Sequence, residues 1–98
     1  MKVKIGKFVY EKSTRKDKKL MTIVDGKKIH FGSSKHQQYK DRTKLGLYKD
    51  KDHNDPKRRQ NYFKRHSGVN TRREAIDKEL KISNGKLNAK ILSHIYLW

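Results

Sequence analysis

The chain has no cysteine, a single proline and only 10 acidic residues among its 98. Without cysteine, disulfide bonds and thiolate metal sites are excluded, so no covalent cross-link stabilises the fold. The sequence contains no apolar run near the 18 residues that a membrane-spanning helix needs, and its first ten residues alternate, unlike a signal peptide. We therefore expect a protein that works away from membranes, inside a cell or a particle assembled there.

Positive charge is the dominant property that remains. The 27 lysines and arginines give a formal net charge of +17, while hydrophobic residues make up only 32% of the chain. Burial of so few hydrophobic residues only just offsets the conformational entropy that the chain loses on folding. We therefore expect one small domain over residues 1–98 that is marginally stable alone. Residues 1–66 carry a net charge of +14 and residues 67–98 a net charge of +3. A polyanion that binds the folded form would stabilise it.

Residues 1–31 have the patterns of a β-rich region. Alternating apolar residues and lysines predict a strand over residues 3–10, with a slip at residues 6–7 that indicates a bulge. An Asp-Gly pair at residues 25–26 lies between two alternating runs and predicts a hairpin with Leu20 opposite Phe31. The charged segment 11–19 between them is predicted to be a loop, or an arm that orders on binding.

Residues 55–98 are predicted to be helical. Asp55 and Gly68 have the residue types that start and stop a helix, and Thr71 with Glu74 forms a capping box for a second helix. A third, C-terminal helix follows from apolar residues at helical spacing. The predicted fold class is α+β, a two- or three-stranded antiparallel sheet followed by two or three short helices. The intervening residues 32–54 are predicted to be loop with room for one helical turn.

Two basic clusters, "KSTRKDKK" and "KRRQNYFKRH", are candidate nucleic-acid contacts. Lysine and arginine neutralise phosphates and release counterions, which gives affinity without sequence specificity. The residues expected to contact phosphates are Arg15, Lys16, Lys18, Lys19, Lys57, Arg58, Arg59, Lys64 and Arg65. Tyr62 and Phe63 are candidates for base stacking, but core burial is favoured because their helix has little else to bury. The alternative interpretation is that these charged side chains only form a solvated surface.

Other chemistries find little support. The stretch "DHND" with His66 downstream holds residue types found in HNH-type metal nucleases, but no spacing matches a metal motif, and no metal site or other cofactor is predicted. Ser33 and Ser34 beside His36 lack an acid to orient a base. We therefore expect neither an enzyme nor a small-molecule substrate.

The C-terminal helix has two interpretations. Its apolar stripe consists of Leu87, Ile91, Ile95 and Trp98. These residues could insert into the groove of a partner protein, or pack into the core of this domain. Core packing is the favoured interpretation, although the terminal position of Trp98 suits a surface anchor.

The order "KSTRKDKK", "IHFG", "YFKRH" and a terminal "LW" resembles a family of small basic proteins of unassigned function. Such proteins are encoded by nucleocytoplasmic large DNA viruses and some bacteriophages. The resemblance covers residues 12–66 best, and this sequence departs from the family pattern between residues 32 and 55 and just before Trp98. The resemblance implies a viral origin but places no site.

These features together predict a virus-encoded, sequence-nonspecific nucleic-acid-binding protein, with DNA as the favoured partner. It would be associated with the virion or the viral genome inside the infected cell. One alternative is a structural virion protein, of the minor capsid or cement type, whose charge meets acidic capsid surfaces and whose C-terminal helix contacts viral structural proteins. Another is a small viral inhibitor of a host enzyme or complex.

Overall fold

Four antiparallel strands come first in the computed structural model, which describes residues 2–98. The strands are β1 (Lys2–Ile5), β2 (Phe8–Lys12), β3 (Lys18–Val24) and β4 (Lys27–Ser33), and they pair in that order. The helices are α1 (Pro56–Ser67), α2 (Arg72–Ile82) and α3 (Ala89–Tyr96), preceded by a single 3₁₀ turn at Lys49–Lys51. The α+β class is confirmed, with one more strand than the sequence predicted.

The additional strand comes from residues 3–10, which form a hairpin instead of one bulged strand. Ile5 pairs with Phe8 and Val3 with Tyr10, so the chain reverses between them. Gly6 lies at φ 61°, a left-handed conformation that glycine adopts without steric cost and that a two-residue hairpin turn requires. The slip in the alternation therefore marked a turn, and the bulge prediction was wrong.

The second hairpin has the predicted register. Asp25 and Gly26 both have positive φ, as expected for the type I′ turn that an Asp-Gly pair favours, and Leu20 pairs with Phe31. The segment predicted as a loop or arm shortens to residues 13–17, because β2 extends to residue 12 and β3 begins at residue 18. This connection is held in place, since the Ser34 amide donates to the Asp17 carbonyl oxygen at 3.1 Å.

The helix boundaries also follow the sequence signals. The Asp55 carboxylate accepts hydrogen bonds from the first amides of α1, and Gly68 ends that helix in the left-handed conformation. Thr71 caps α2 by accepting from the Glu74 amide at 3.2 Å, and Asn88 caps α3 in the same way. Side chains that satisfy the free amides of a helix start can be recognised before the fold is known.

Residues 32–54 are ordered mainly by buried polar side chains. The amide of Gln38, which is fully buried, donates to the Tyr48 carbonyl oxygen at 2.7 Å and to Asp52 Oδ1 at 2.6 Å. Asp52 Oδ1 also accepts from the Asp41 amide at 2.8 Å. Buried hydrogen bonds of this kind hold irregular backbone in one conformation, so the segment lies firmly against the rest of the domain.

Most of the hydrophobic core lies between one face of the sheet and α3. Its fully enclosed members are Tyr10, Leu20, Phe31, Leu45, Leu92 and Leu97. A second cluster joins α1 to α2 through Tyr62, Phe63 and Ala75, and Trp98 packs against both clusters. The core-packing interpretation of the C-terminal helix thus holds for Leu87, Ile91 and Trp98. Partner docking by this stripe is wrong for Ile91, which is completely buried, while Ile95 remains half-buried.

Candidate nucleic-acid interface

A cleft of about 750 Å³ lies where the ends of β3 and β4 meet α1 and α3. Its cations are Lys18, Lys19, Arg58, Arg65 and Lys90, of which Lys19 is almost wholly buried, and its histidines are His36 and His66. Among residues 2–98, no aspartate or glutamate lines this basic cleft. Four of these cations, Lys18, Arg58, Arg65 and Lys90, are at least partly exposed, and only Lys90 has an ion-pair partner among residues 2–98, Glu79 at 3.9 Å. The cleft is therefore suited to an anion larger than a single ion.

Each cation reaches the basic cleft from a defined position. Lys18 begins β3, and Arg58 and Arg65 lie seven residues apart on α1, so they project from the same side of that helix. The Arg58 guanidinium donates to Gln37 Oε1 at 2.8 Å. Lys90 Nζ donates to the carbonyl oxygen of His66 at 3.1 Å. Two of the four cations are therefore already oriented before any ligand binds.

Gly32 allows the floor of the basic cleft to form. It lies at φ 78°, and a Cβ atom added there would be 2.6 Å from Leu97 Cδ1. Only a residue without a side chain lets the end of α3 approach the sheet this closely. The glycine of the "IHFG" stretch is thus required by the packing that encloses the cleft.

His66 responds to the positive charge around it. Partial burial lowers the pKa of its imidazole below the usual value, and repulsion from Arg65 and Lys90 lowers that pKa further. The imidazole is therefore mostly neutral at pH 7. An anion in the basic cleft would offset the two cations and raise this pKa again.

Tyr62 and Phe63 do not stack on bases in this arrangement. Tyr62 is only 8% exposed, and its ring stacks on Trp98 with centroids 4.0 Å apart and planes 4° from parallel. Phe63 is 1% exposed. The base-stacking hypothesis is wrong for both residues, and the burial that the sequence favoured is confirmed. The Tyr62–Trp98 pair forms an apolar wall of the basic cleft.

The other predicted phosphate contacts are distributed around the basic cleft. Lys57 and Lys64 are exposed on α1 outside it, and Arg59 lines a separate groove. Arg15 and Lys16 are exposed in the β2–β3 connection, which Ser34 attaches next to the cleft by donating to the Lys16 carbonyl oxygen at 2.6 Å. Arg15 is also paired with Asp17 at 3.1 Å, and this carboxylate would compete with an incoming phosphate.

Lys19 is the clear exception among the predicted contacts. Its side chain is 1% exposed, and Nζ donates to the carbonyl oxygen of His36 at 2.6 Å and to Gln38 Oε1. Burial lowers the pKa of this ammonium to about 8. The predicted phosphate contact by Lys19 is therefore wrong, because the lysine instead joins β3 to the irregular segment.

Three lining residues were missed by sequence reasoning. Lys90 lies in the weakly charged last third of the chain, far from both basic clusters, and only the packing of α3 beside α1 brings it to the cleft. His66 was considered only as a metal ligand, and His36 was considered as a phosphate contact or turn cap, with a structural role favoured. No spacing rule in the sequence connects these residues, so the fold was needed to find them.

A serine, a histidine and a glutamate meet behind the basic cleft without forming a catalytic triad. Ser67 Oγ donates to Glu79 Oε2 at 2.8 Å and accepts from His94 Nε2 at 2.9 Å, while His94 Nδ1 accepts from the Tyr62 hydroxyl at 3.1 Å. The carboxylate therefore contacts the serine instead of orienting the histidine. Ser67 and His94 are buried, so this network supports the helices.

The "DHND" stretch does not assemble a metal centre. Asp52 is used by Gln38 and Asp41, and His53 Nδ1 accepts from the Asp55 amide at 3.0 Å. Within residues 2–98 there is no group of three or more side chains placed to hold a metal ion. None of the helices in that range is long and apolar enough to cross a membrane.

The basic cleft combines preoriented cations, an apolar wall and a glycine floor. Its lining also holds Ser33 and His36, whose Oγ and Nδ1 lie 2.7 Å apart. A concave surface with this charge is suited to bind an anion. The viral family resemblance remains a prediction. Comparison of this chain with protein-family models, with curated proteins and with solved structures gives no match.

Proposed function

We propose that this protein binds nucleic acid without sequence specificity and that the basic cleft holds the phosphate backbone of DNA. The observation that carries the proposal is the convergence of Lys18, Arg58, Arg65 and Lys90, from β3, α1 and α3, on one cleft that no described carboxylate lines. Charge that only keeps a protein soluble has no reason to converge in this way.

Binding would derive its free energy from phosphate neutralisation and release of counterions. Arg58 and Lys90 are held by Gln37 and by the His66 carbonyl, so less side-chain entropy is lost when phosphate binds. Base readout has little support, because the cleft's aromatic rings cover each other and the Gln37 amide oxygen is occupied by Arg58. The expected contact is therefore with the backbone, in any sequence.

The biological setting follows only from the family resemblance. We propose on that ground that the protein is virus-encoded and acts in the virion or at the viral genome. The alternative of a structural virion protein relies on charge contacts with acidic capsid surfaces and on docking by the C-terminal helix, and most of that apolar stripe packs inside the domain. No observation favours the inhibitor alternative.

A salt series with matched variants tests the proposal. Fluorescence anisotropy would measure duplex affinity for the wild type, for Arg58→Gln/Arg65→Gln, and for Lys27→Gln/Lys28→Gln at the start of β4. Both variants lose two charges, but only the first pair lines the cleft. Each lost phosphate contact should lower the slope of log affinity against log salt by about one, so the cleft variant should lose about two.

Two results would contradict the proposal. One is an equal loss of slope and affinity in both variants, which would mean that the charge acts without a site. The other is the absence of duplex binding by the wild type at low salt.

A further inference from the structure

A second basic groove lies on the other side of α1. Its volume is about 460 Å³, and it is formed by α1 and the start of α2. Its cations are Arg59, Arg72 and Arg73, and no aspartate or glutamate within residues 2–98 lines it. None of the residues lining this second groove also lines the basic cleft. The two surfaces are therefore separate.

The geometry of α1 explains the separation. With 3.6 residues per turn, successive residues point about 100° apart, so Arg58 and Arg65 face one flank while Phe63 and Gln60 face another. By this geometry the two flanks of α1 are separated by roughly 120° or more around the helix axis. The exposed Lys57 and Lys64 lie on the outer ridge of α1 between them. A chain of phosphates in the basic cleft would have to cross this ridge to enter the second groove.

The arginines around the second groove have no ion-pair partner among residues 2–98. The Arg59 guanidinium lies 4.1 Å from the centroid of the Tyr39 ring, and that of Arg42 lies 5.8 Å from the same centroid. Arg72 donates to the carbonyl oxygens of residues 94 and 95, at 3.1 and 2.6 Å. The ion pairs found within residues 2–98 include none of these arginines.

The arginines of this cluster repel one another. Burial lowers the pKa values of Arg42 and Arg72, and the charge of Arg59 lowers both further. Arg72 also lowers the pKa of Arg42, while Tyr39 and Asp52 act on it in the opposite direction. Repulsion between neighbouring guanidinium groups is relieved when an anion lies between them. The cluster is therefore arranged to gain from a bound phosphate.

We propose that the second groove holds a second nucleic-acid segment, so that one molecule of this protein bridges two duplexes. This inference rests on the proposed function of the basic cleft. Two separate surfaces of the same sign, each concave and free of lining acids, fit two stretches of one kind of polyanion. The bridging would bring distant parts of a DNA molecule together and compact it.

A bead assay tests bridging directly. Immobilised duplex DNA is mixed with a fluorescent duplex that has no means of attachment, and protein-dependent capture of the fluorescent duplex is measured. Arg59→Gln/Arg73→Gln removes two charges from the second groove and leaves Arg72, which supports α3, in place. Lys27→Gln/Lys28→Gln is the control of equal charge. Capture should fall by about tenfold in the groove variant and change little in the control.

Anisotropy with a single duplex separates this inference from the proposed function. The groove variant should bind the first duplex as tightly as the control variant does. If folding of the groove variant is impaired, Arg73→Glu alone, at an exposed side chain, repeats the test.

Several outcomes would overturn the inference. Wild-type protein that binds one duplex but captures no second one would refute bridging and leave the proposed function intact. Capture equal in the groove and control variants would assign bridging to self-association or to diffuse charge. A loss of first-duplex affinity specific to the groove variant would show that one duplex contacts both surfaces. Failure to bind any duplex would refute both proposals.

Discussion

His94 is a buried residue whose protonation state is tied to the packing of all three helices. The hydroxyl of Ser67 donates to Glu79, so its oxygen accepts from His94 Nε2, and His94 Nδ1 must accept from Tyr62. Both ring nitrogens are satisfied only in the neutral form. Burial lowers the pKa of His94 to about 4, although the nearby Glu79 acts in the opposite direction.

This pKa predicts acid sensitivity. Between the unfolded value of 6.5 and the folded value of about 4, the unfolded chain binds more protons, so stability is lost as the pH falls through this window. The contribution of His94 between pH 7 and pH 5 should be about 2 kcal/mol in the free energy of unfolding. Urea unfolding at the two pH values measures it. His94→Gln should be less stable at pH 7 but should lose less on acidification, and an unchanged pH dependence would contradict the assignment.

Gly32 and Gly26 form a matched pair for testing the close packing under the basic cleft. Both lie at φ 78°, but an added Cβ would meet Leu97 only at Gly32, and nothing lies within 4 Å at Gly26. Gly26→Ala should cost about 1 kcal/mol for backbone strain alone. Gly32→Ala should cost about 2–4 kcal/mol, because overpacking adds to the strain. Equal losses in urea unfolding would show that α3 can move away at little cost.

At the scale of elements, the sequence predicted whatever depends on local signals. The Asp25-Gly26 turn, the Asp55 and Thr71 caps and the Gly68 stop are each read from a few neighbouring residues, and each is confirmed. Residues 32–54 form the predicted loop with one helical turn, at Lys49–Lys51, but their fixed conformation was not predicted because it comes from buried side chains that meet across the fold. The cleft was not predicted for the same reason. The basic cluster on α1 can be recognised in the sequence, but Lys90 on α3 lies beside it only in the folded chain.

The stacking of Tyr62 of α1 on Trp98, just after α3, predicts which form of nucleic acid binds more tightly. The Tyr62–Trp98 stack covers the ring faces on which unpaired bases would stack. Without stacking, affinity depends on the density of phosphate charge, which is higher in a duplex than in a single strand. Duplex DNA should therefore bind at least as tightly as a single strand of equal length in anisotropy at the same salt concentration. Clear preference for the single strand would contradict the buried assignment of these rings.

The whole molecule combines a small core with a large excess of positive charge. The sheet and α3 supply most of the buried apolar surface, and the basic residues of α1 and the β2–β3 connection surround one end of that core. A net charge of +17 on 98 residues destabilises the folded form by self-repulsion, which a bound polyanion would relieve. Low stability of the free protein and the proposed nucleic-acid binding would then have the same origin in this composition.

The location of bound DNA tests the central claim most directly. Amide chemical shifts of isotopically labelled protein would be followed by NMR as a short duplex is added at low salt. The largest changes should fall on residues that line the basic cleft: Lys18, Gly32, Arg58, Arg65, His66 and Lys90. The imidazole of His66 should also titrate at a higher pH in the complex than in the free protein. Changes confined to the open face of the sheet, with His66 unaffected, would contradict the assignment of the cleft as the DNA-binding site.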